Sequence, residues 1–179
     1  MVTNAGGVRT TVRYGDSRLR NRCQPIRTGE EGVNQLADDI WQLLRNGGGV
    51  GLAAPQLGDL RRLVVVKDPR RAIPPRRLVL INPVVVFRSA NRSSYEEGCL
   101  SFPGLYLHIV RPVAIRVRYE DLAGHRHELD AMGLLARIIQ HEVDHLDGVL
   151  FIDHLSPVRR WFLTWRLRKL AACARKDVA

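Results

Sequence analysis

Residues 140–148 read QHEVDHLDG. His141 and His145 are four positions apart, so on an α-helix both imidazoles project from one face about one turn apart. Such a pair can chelate one metal ion, and Glu142 beside it can reach a bound water as a general base. The alternative is a helix with two surface histidines and an ion-paired glutamate; the five-residue pattern alone does not separate the two. Upstream, Leu134, Ile138, His141 and His145 follow in steps of four, three and four. The metal face therefore continues into an apolar wall, as a hydrophobic pocket beside an ion requires. Leu134 or Ile138 taken singly also suits a core position.

Working outward from this helix, expected over residues 131–148, the chain shows no regular βα alternation. Residues 1–12 carry no clear pattern. In EEGVNQLADDIWQLLRNGGG (30–49), Val33, Leu36, Ala37, Ile40, Leu43 and Leu44 recur at helical spacing, and Gly47 to Gly49 end the helix. RRLVVVKD (61–68) and RLVLINPVVVFR (77–88) are β-branched runs that read as strands, with Pro83 marking an edge or a bulge. VAIRVRYEDLAGHRHELD (113–130) alternates, turns at residues 122–124 and returns as a hairpin. SPVRRWFLTWRLRKLAACARK (156–176) reads as a further helix, with Ser156 as cap and Pro157 in its first turn. The order predicts one α+β domain, with mostly antiparallel sheets around the central histidine helix and helices near both ends. The boundary between the main body and a C-terminal basic helix and tail falls between 155 and 156.

The 179 residues suffice for one domain with a real core. No apolar run is long enough to span a bilayer, and the start lacks a signal-peptide pattern. Cys23, Cys99 and Cys173 are too few for a secreted disulfide framework. A cytoplasmic protein is therefore expected, with Cys23 and Cys173 as buried structural thiols. The net charge of +10 favours polyanionic partners, although an arginine-rich composition with a solvated surface accounts for it too.

A catalytic ion of this kind takes three protein ligands and keeps one position open. No glutamate follows Glu142, and Phe151 stands where a third histidine of a metzincin would. Asp147, Asp153, His154, Cys173 and Asp177 lie downstream; Asp153 is the best of them, and a zinc endopeptidase using it is one alternative. Upstream, YEEGCLSFPG (95–104) offers Cys99, a strong ligand as thiolate, or else a buried structural thiol. GGGVGLAAPQLG (47–58) places Gly49 and Gly51 where backbone can approach a ligand closely. It also carries Gln56, whose neutral amide can donate to an oxyanion.

GVGLAAPQ (49–56), EGCLS (97–101) and QHEVDHLDG, in that order, resemble the signature of the peptide deformylase family. The resemblance runs from about YGDSRLR (14–20) to about Ser156. It implies an enzyme that removes the formyl group from the N-terminal formylmethionine of new polypeptides. It further implies Cys99, His141 and His145 as metal ligands, Glu142 as proton carrier, and Gln56 with the Leu100 N–H as donors to the formyl oxygen. Gly51 would contact the substrate backbone, together with Glu97 and Gly98. Val50, Leu134 and Ile138 would line a methionine pocket that Tyr95 closes. The implied physiological ion is Fe2+, with Ni2+ or Co2+ as active substitutes; the donor set also suits Zn2+. Tyr106 departs from the arginine that many relatives carry there.

Two further expectations concern charge and packing. Arg111 should tie Glu97 or Asp144 to the Cys99 loop, as ligand-bearing segments need outer partners. In the C-terminal helix, Val158, Trp161, Phe162, Trp165 and Leu167 should form a side packed on the catalytic domain. Arg159, Arg160, Arg166, Arg168 and Lys169 would then face outward and contact ribosomal RNA. A merely solvated basic side, or a dimer contact through the tryptophans, is the alternative. Neither a membrane nor DNA is expected as a partner.

Overall fold

The computed structural model describes residues 11–47, 49–70 and 76–176. The uninterrupted aliphatic run makes Leu63–Asp68 (β2) a strand buried on both faces, and everything else is arranged around it. Gly51–Ala53 (β1) pairs with one edge of β2, and Arg76–Arg88 (β3) pairs with the other. Ala114–Glu120 (β6) and Arg126–Met132 (β7) form the expected hairpin and complete an antiparallel sheet of order β1-β2-β3-β6-β7. Arg92–Gly98 (β4) and Tyr106–Pro112 (β5) form a separate two-stranded ribbon. The fold is α+β, as the element order implied.

Pro83 interrupts β3 as a bulge rather than an edge, since β3 is paired on both sides. The register slips between Ile81 and Val84, and Asn82 adopts φ 51°. The Asn82 side chain compensates by accepting from Ile26 N at 2.8 Å and donating to Ile26 O at 2.8 Å.

Val33–Gly47 (α1) buries Val33, Leu36, Ala37, Ile40 and Leu44 against Leu63 and Val65 of β2, while Leu43 is only partly covered. Gly133–Leu146 (α2) starts directly from β7, with Gly133 at φ +57° making the turn. Its Leu135, Ala136, Ile139, Val143 and Leu146 pack on Val64, Val66, Leu80, Ile115 and Val117 of the sheet. A third cluster joins Phe102, Leu105, Ile109, Phe151 and Ile152 with Tyr14 packed against it.

Three sequence expectations are corrected. Residues 1–10 lie outside the described residues, but Val12 is not loose: it is buried and donates its N–H to Gln56 O at 2.7 Å. Cys173 is exposed, and only Cys23 is the buried structural thiol expected of both. The C-terminal segment, capped by Ser156 as expected, is two helices, Pro157–Phe162 (α3) and Thr164–Lys176 (α4), which meet at Leu163. Its packed side carries Leu163, Leu167 and Leu170, with buried Ala174 continuing the stripe. Val158, Trp161, Phe162 and Trp165 are exposed instead. On the packed side the fit is tight at Ala171, where a Cβ on Gly15 would lie 2.9 Å from Ala171 Cα.

No helix among the described residues is long and apolar enough to cross a membrane.

Candidate metal centre

The core packing of α2 turns one of its stripes toward the loop that follows β4. His141 and His145 lie on that stripe, and both are buried. Cys99 comes directly after Gly98, the last residue of β4, and its Sγ lies 3.3 Å from His145 Nε2. One donor atom each from Cys99, His141 and His145 falls within 4.8 Å of the others, the one such group among the described residues. A thiolate and two imidazoles so disposed suit a divalent ion of the zinc or iron type rather than Mg2+ or Ca2+, which prefer oxygen. The surroundings fit an ion as well. Glu142 Oε2 and His145 Nδ1 are buried polar atoms without a hydrogen-bond partner among the described residues. Burial pushes the Glu142 carboxyl up to about 7 and the His145 imidazole down to about 3.

His141 is oriented from behind. Its Nδ1 lies 2.9 Å from Glu97 Oε2, so the ring donates there and leaves Nε2 with its lone pair. Glu97 is also held by Arg111, through Nε at 2.7 Å and Nη2 at 3.0 Å. The same Arg111 donates to Asp144 Oδ2 at 2.7 Å, so it joins both acidic partners rather than one. Burial works against charge on Glu97, but the bonds from His141 and Arg111 win and hold its carboxyl at about 2. Because its carboxylate is taken up by these groups, Glu97 supports His141 and does not present that carboxylate to a substrate.

Sequence reasoning missed Arg137, which also reaches this network. It donates to Glu97 Oε1 at 2.6 Å, Ile109 O at 2.9 Å and Ser93 O at 2.8 Å, and its guanidinium lies over the Tyr95 ring at 5.7 Å. The two-stranded ribbon is thereby clamped to α2, which matters because such a ribbon is marginal alone. The signal was present: a lone cation inside the apolar run LLARII can stay buried only with partners. Ser101, fully buried, was missed as well.

The centre lies in a cleft of ≈ 460 Å³. Val50, Gly51, Gln56, Tyr95, Gly98, Leu100, Leu134 and Ile138 line it with Glu97, Cys99, His141 and Glu142, and Tyr106 stands there too. Ile138 is buried, whereas Val50, Tyr95, Tyr106 and Leu134 are exposed. Gly51 has to be glycine, since a Cβ there would lie 2.7 Å from both Glu142 Oε1 and Ile138 Cγ2. Gln56 is fixed by accepting from Ala53 N at 2.9 Å, which points its Nε2 at Ser101 Oγ (3.3 Å) and Cys99 Sγ (3.5 Å). Asp153, the downstream alternative ligand, is outside the group: it binds Arg20 and accepts from Leu150 N at 2.8 Å.

Residues 8–161 match the family model for polypeptide deformylase. The peptide deformylase of Salinibacter ruber is 41% identical over 166 residues, covering 88% of this chain and 85% of that protein. The peptide deformylase of Thermomicrobium roseum is 45% identical over 153 residues, covering 83% of this chain and 86% of that protein. The crystal structure of peptide deformylase from Thermus thermophilus superposes with a TM-score of 0.86 at 37% identity, covering 96% of this chain and 100% of that one.

Proposed function

The chain belongs to the peptide deformylase family, whose members are metal-dependent enzymes acting on formylated peptides, and from that premise we propose a residue-level account of its catalysis. The substrate is the N-formylmethionyl end of a nascent polypeptide, and the products are formate and a free amino terminus. The observation that carries the reading is the convergence of Cys99, His141 and His145 within 4.8 Å, on the floor of a cleft that Glu142 also lines.

Cys99, His141 and His145 would hold the ion, which when bound supplies Lewis acidity toward water and the formyl oxygen. Fe2+ is the proposed physiological ion, with Zn2+, Ni2+ or Co2+ as substitutes. Glu142 moves the proton. Its carboxylate accepts one from water as the water attacks the formyl carbon, and returns it to the leaving amine nitrogen. A carboxyl raised toward neutrality by burial suits both halves of that exchange. As the formyl oxygen gains charge, Gln56 Nε2 and the Leu100 N–H donate to it, each such donor contributing roughly 3 kcal/mol. Gln56 needs no reorganisation, because Ala53 N already fixes its amide. Glu97 keeps His141 in the tautomer that ligation requires.

Val50, Leu134 and Ile138 form the wall for the methionine side chain, with Tyr95 above it, and Gly51 and Gly98 present backbone to the substrate. Residues 1–155 constitute the catalytic body and residues 156–179 an appended basic unit, helical over Pro157–Phe162 and Thr164–Lys176. The test is a formyl-Met-peptide assay with metal analysis on the same anaerobic preparation. Formate release that tracks metal content, and loss of both in Cys99→Ala, is the expected result. A Cys99→Ala protein that keeps its metal would overturn the ligand set.

A further inference from the structure

The helices α3 and α4 carry two apolar faces. One holds Leu163, Leu167 and Leu170 against the third core cluster. The other holds Val158, Trp161, Phe162 and Trp165, spaced three, one and three apart and 65%, 70%, 72% and 74% exposed. The Trp161 and Phe162 rings contact each other edge-on, with centroids 5.1 Å apart. Soluble surfaces seldom gather apolar groups in this way without a partner.

We propose that this face docks the protein peripherally on an anionic lipid bilayer, the four apolar side chains entering the interface and the flanking cations meeting lipid phosphates. The inference does not rest on the deformylase reading. Residues 156–176 contain seven Arg or Lys and no Asp or Glu, a composition complementary to anionic headgroups. Tryptophan and phenylalanine between arginines are the side chains that settle at the boundary of headgroup and acyl chain.

Two other partners fit less well. A second copy of the chain would set this patch against itself, cation against cation, with no carboxylate in residues 156–176 of either copy and Asp153 already paired with Arg160. Ribosomal RNA, the partner suggested by charge alone, requires cations foremost. Here the apolar groups are foremost: Arg160 is paired with Asp153 at 3.0 Å and Arg166 is turned back to the carbonyl of Gly104. That leaves the exposed Arg159, Arg168 and Lys169 as the cations that meet lipid phosphates beside the apolar groups. Gly104 also lines the catalytic cleft, so docking would hold the rim of the cleft directly behind the lipid-bound helix.

The test uses the full-length, metal-loaded protein with two kinds of vesicle: phosphatidylcholine alone, and phosphatidylcholine mixed equally with phosphatidylglycerol. The protein should sediment with the mixed vesicles and not with the neutral ones, and its tryptophan emission should shift to the blue. Trp161→Ser with Trp165→Ser should weaken binding roughly tenfold or more, since both rings leave the interface. Arg159→Glu with Arg168→Glu should weaken it by about fivefold for each cation lost, or more. Turnover of a soluble formyl-Met peptide should stay at wild-type level in both variants, because none of these residues is placed in the catalytic machinery. Absence of vesicle binding, or binding indifferent to the tryptophan changes, would overturn the proposal. So would binding to ribosomes alone that disappears with moderate salt, which would assign the face to RNA. Self-association abolished by the tryptophan changes, without vesicle binding, would assign it to a second copy.

Discussion

The helix α2 and the pair α3–α4 read alike in the sequence, as amphipathic segments with interleaved charges, yet the molecule treats them oppositely. Arg137, Gln140, His141, Glu142 and His145 of α2 are all buried. In α3 nothing is buried, not even Trp161 or Phe162. Periodicity says that a helix has an apolar face; it does not say that the face will be covered, or that a charged residue will be left outside. Partners decide both. Arg137 of α2 was taken inside because Glu97 meets it there, with Arg111 joining Glu97 to Asp144, and burial of charge is tolerable only when paired. The aromatic residues of α3 were left outside because the face packed on the body is the one carrying Leu163, Leu167 and Leu170.

The strongest way to break this comparison is at the chemistry of α2. Glu142→Gln keeps the shape of the side chain and removes its ability to accept a proton. Metal content should stay unchanged while turnover falls by roughly 10²–10⁴-fold. A variant within about tenfold of wild type would take Glu142 out of the mechanism. Next comes the support behind the ligands. Arg111→Ala leaves the buried Glu97 and the partly buried Asp144 without their shared partner, a change of the kind that costs about 3–5 kcal/mol. Arg137 and His154 still bind the two carboxylates, which favours the lower end. Metal affinity should fall by roughly 10–100-fold, because His141 loses its fixed backing. Urea unfolding and metal titration measure the two; a variant unchanged in both would make the network dispensable.

These residues also mark how far the sequence could be read. Strands β2 and β3, the β6–β7 hairpin and both main helices follow from β-branched runs and from period-2 and period-3.6 patterning, and the approach of Cys99 to His141 and His145 from the shortage of downstream ligands; β1 and the β4–β5 ribbon were not read from the sequence. Arg137 was missed because periodicity treats a charge as an outward position, and its buried partners lie in Ser93, Glu97 and Ile109, far away in the chain. The role of Glu97 was split between substrate and support, since only the third dimension shows three groups converging on one carboxylate. The face of α4 was misassigned for the same reason: its packing partners, Gly15 and Phe102 among them, cannot be placed from local pattern.

A smaller effect sharpens the contrast between inside and outside through the thiols. Cys23 is buried, and burial pushes its thiol up to about 12 from an ordinary 9.0. A raised folded-state value means that the folded protein keeps a proton that the unfolded chain gives up. The stability involved is fully present below about pH 9 and is lost as pH rises toward 12. By about pH 10.5 the loss should approach 2 kcal/mol. Cys23→Ala should begin less stable, from the cavity, and then decline less steeply with alkali. In the native protein at neutral pH, Cys173 should react with a thiol reagent promptly and Cys23 should not. Prompt labelling of Cys23 would contradict its burial.

The smallest expected effect is the most discriminating for α4. Leu167 is 6% exposed and sits in the core cluster with Phe102 and Phe151, so Leu167→Ala should cost about 2–5 kcal/mol. Two residues earlier, Trp165 is larger and more apolar, and on hydrophobicity alone it should matter more. It is 74% exposed, however, and its one distinctive contact is Lys169 at 5.7 Å from the ring centroid. An exposed cation–π pair contributes roughly 0.5–1 kcal/mol. Replacing Trp by Ala in a helix returns about half a kcal/mol of helix propensity, which nearly cancels that loss. Trp165→Ala should therefore leave the urea midpoint within the scatter of an ordinary surface change, about ±0.5 kcal/mol. A loss comparable to that of Leu167→Ala would mean that the indole packs against the body of the protein. The face carrying Trp161 and Trp165 would then be part of the core, and no outward docking surface would remain on α3 and α4.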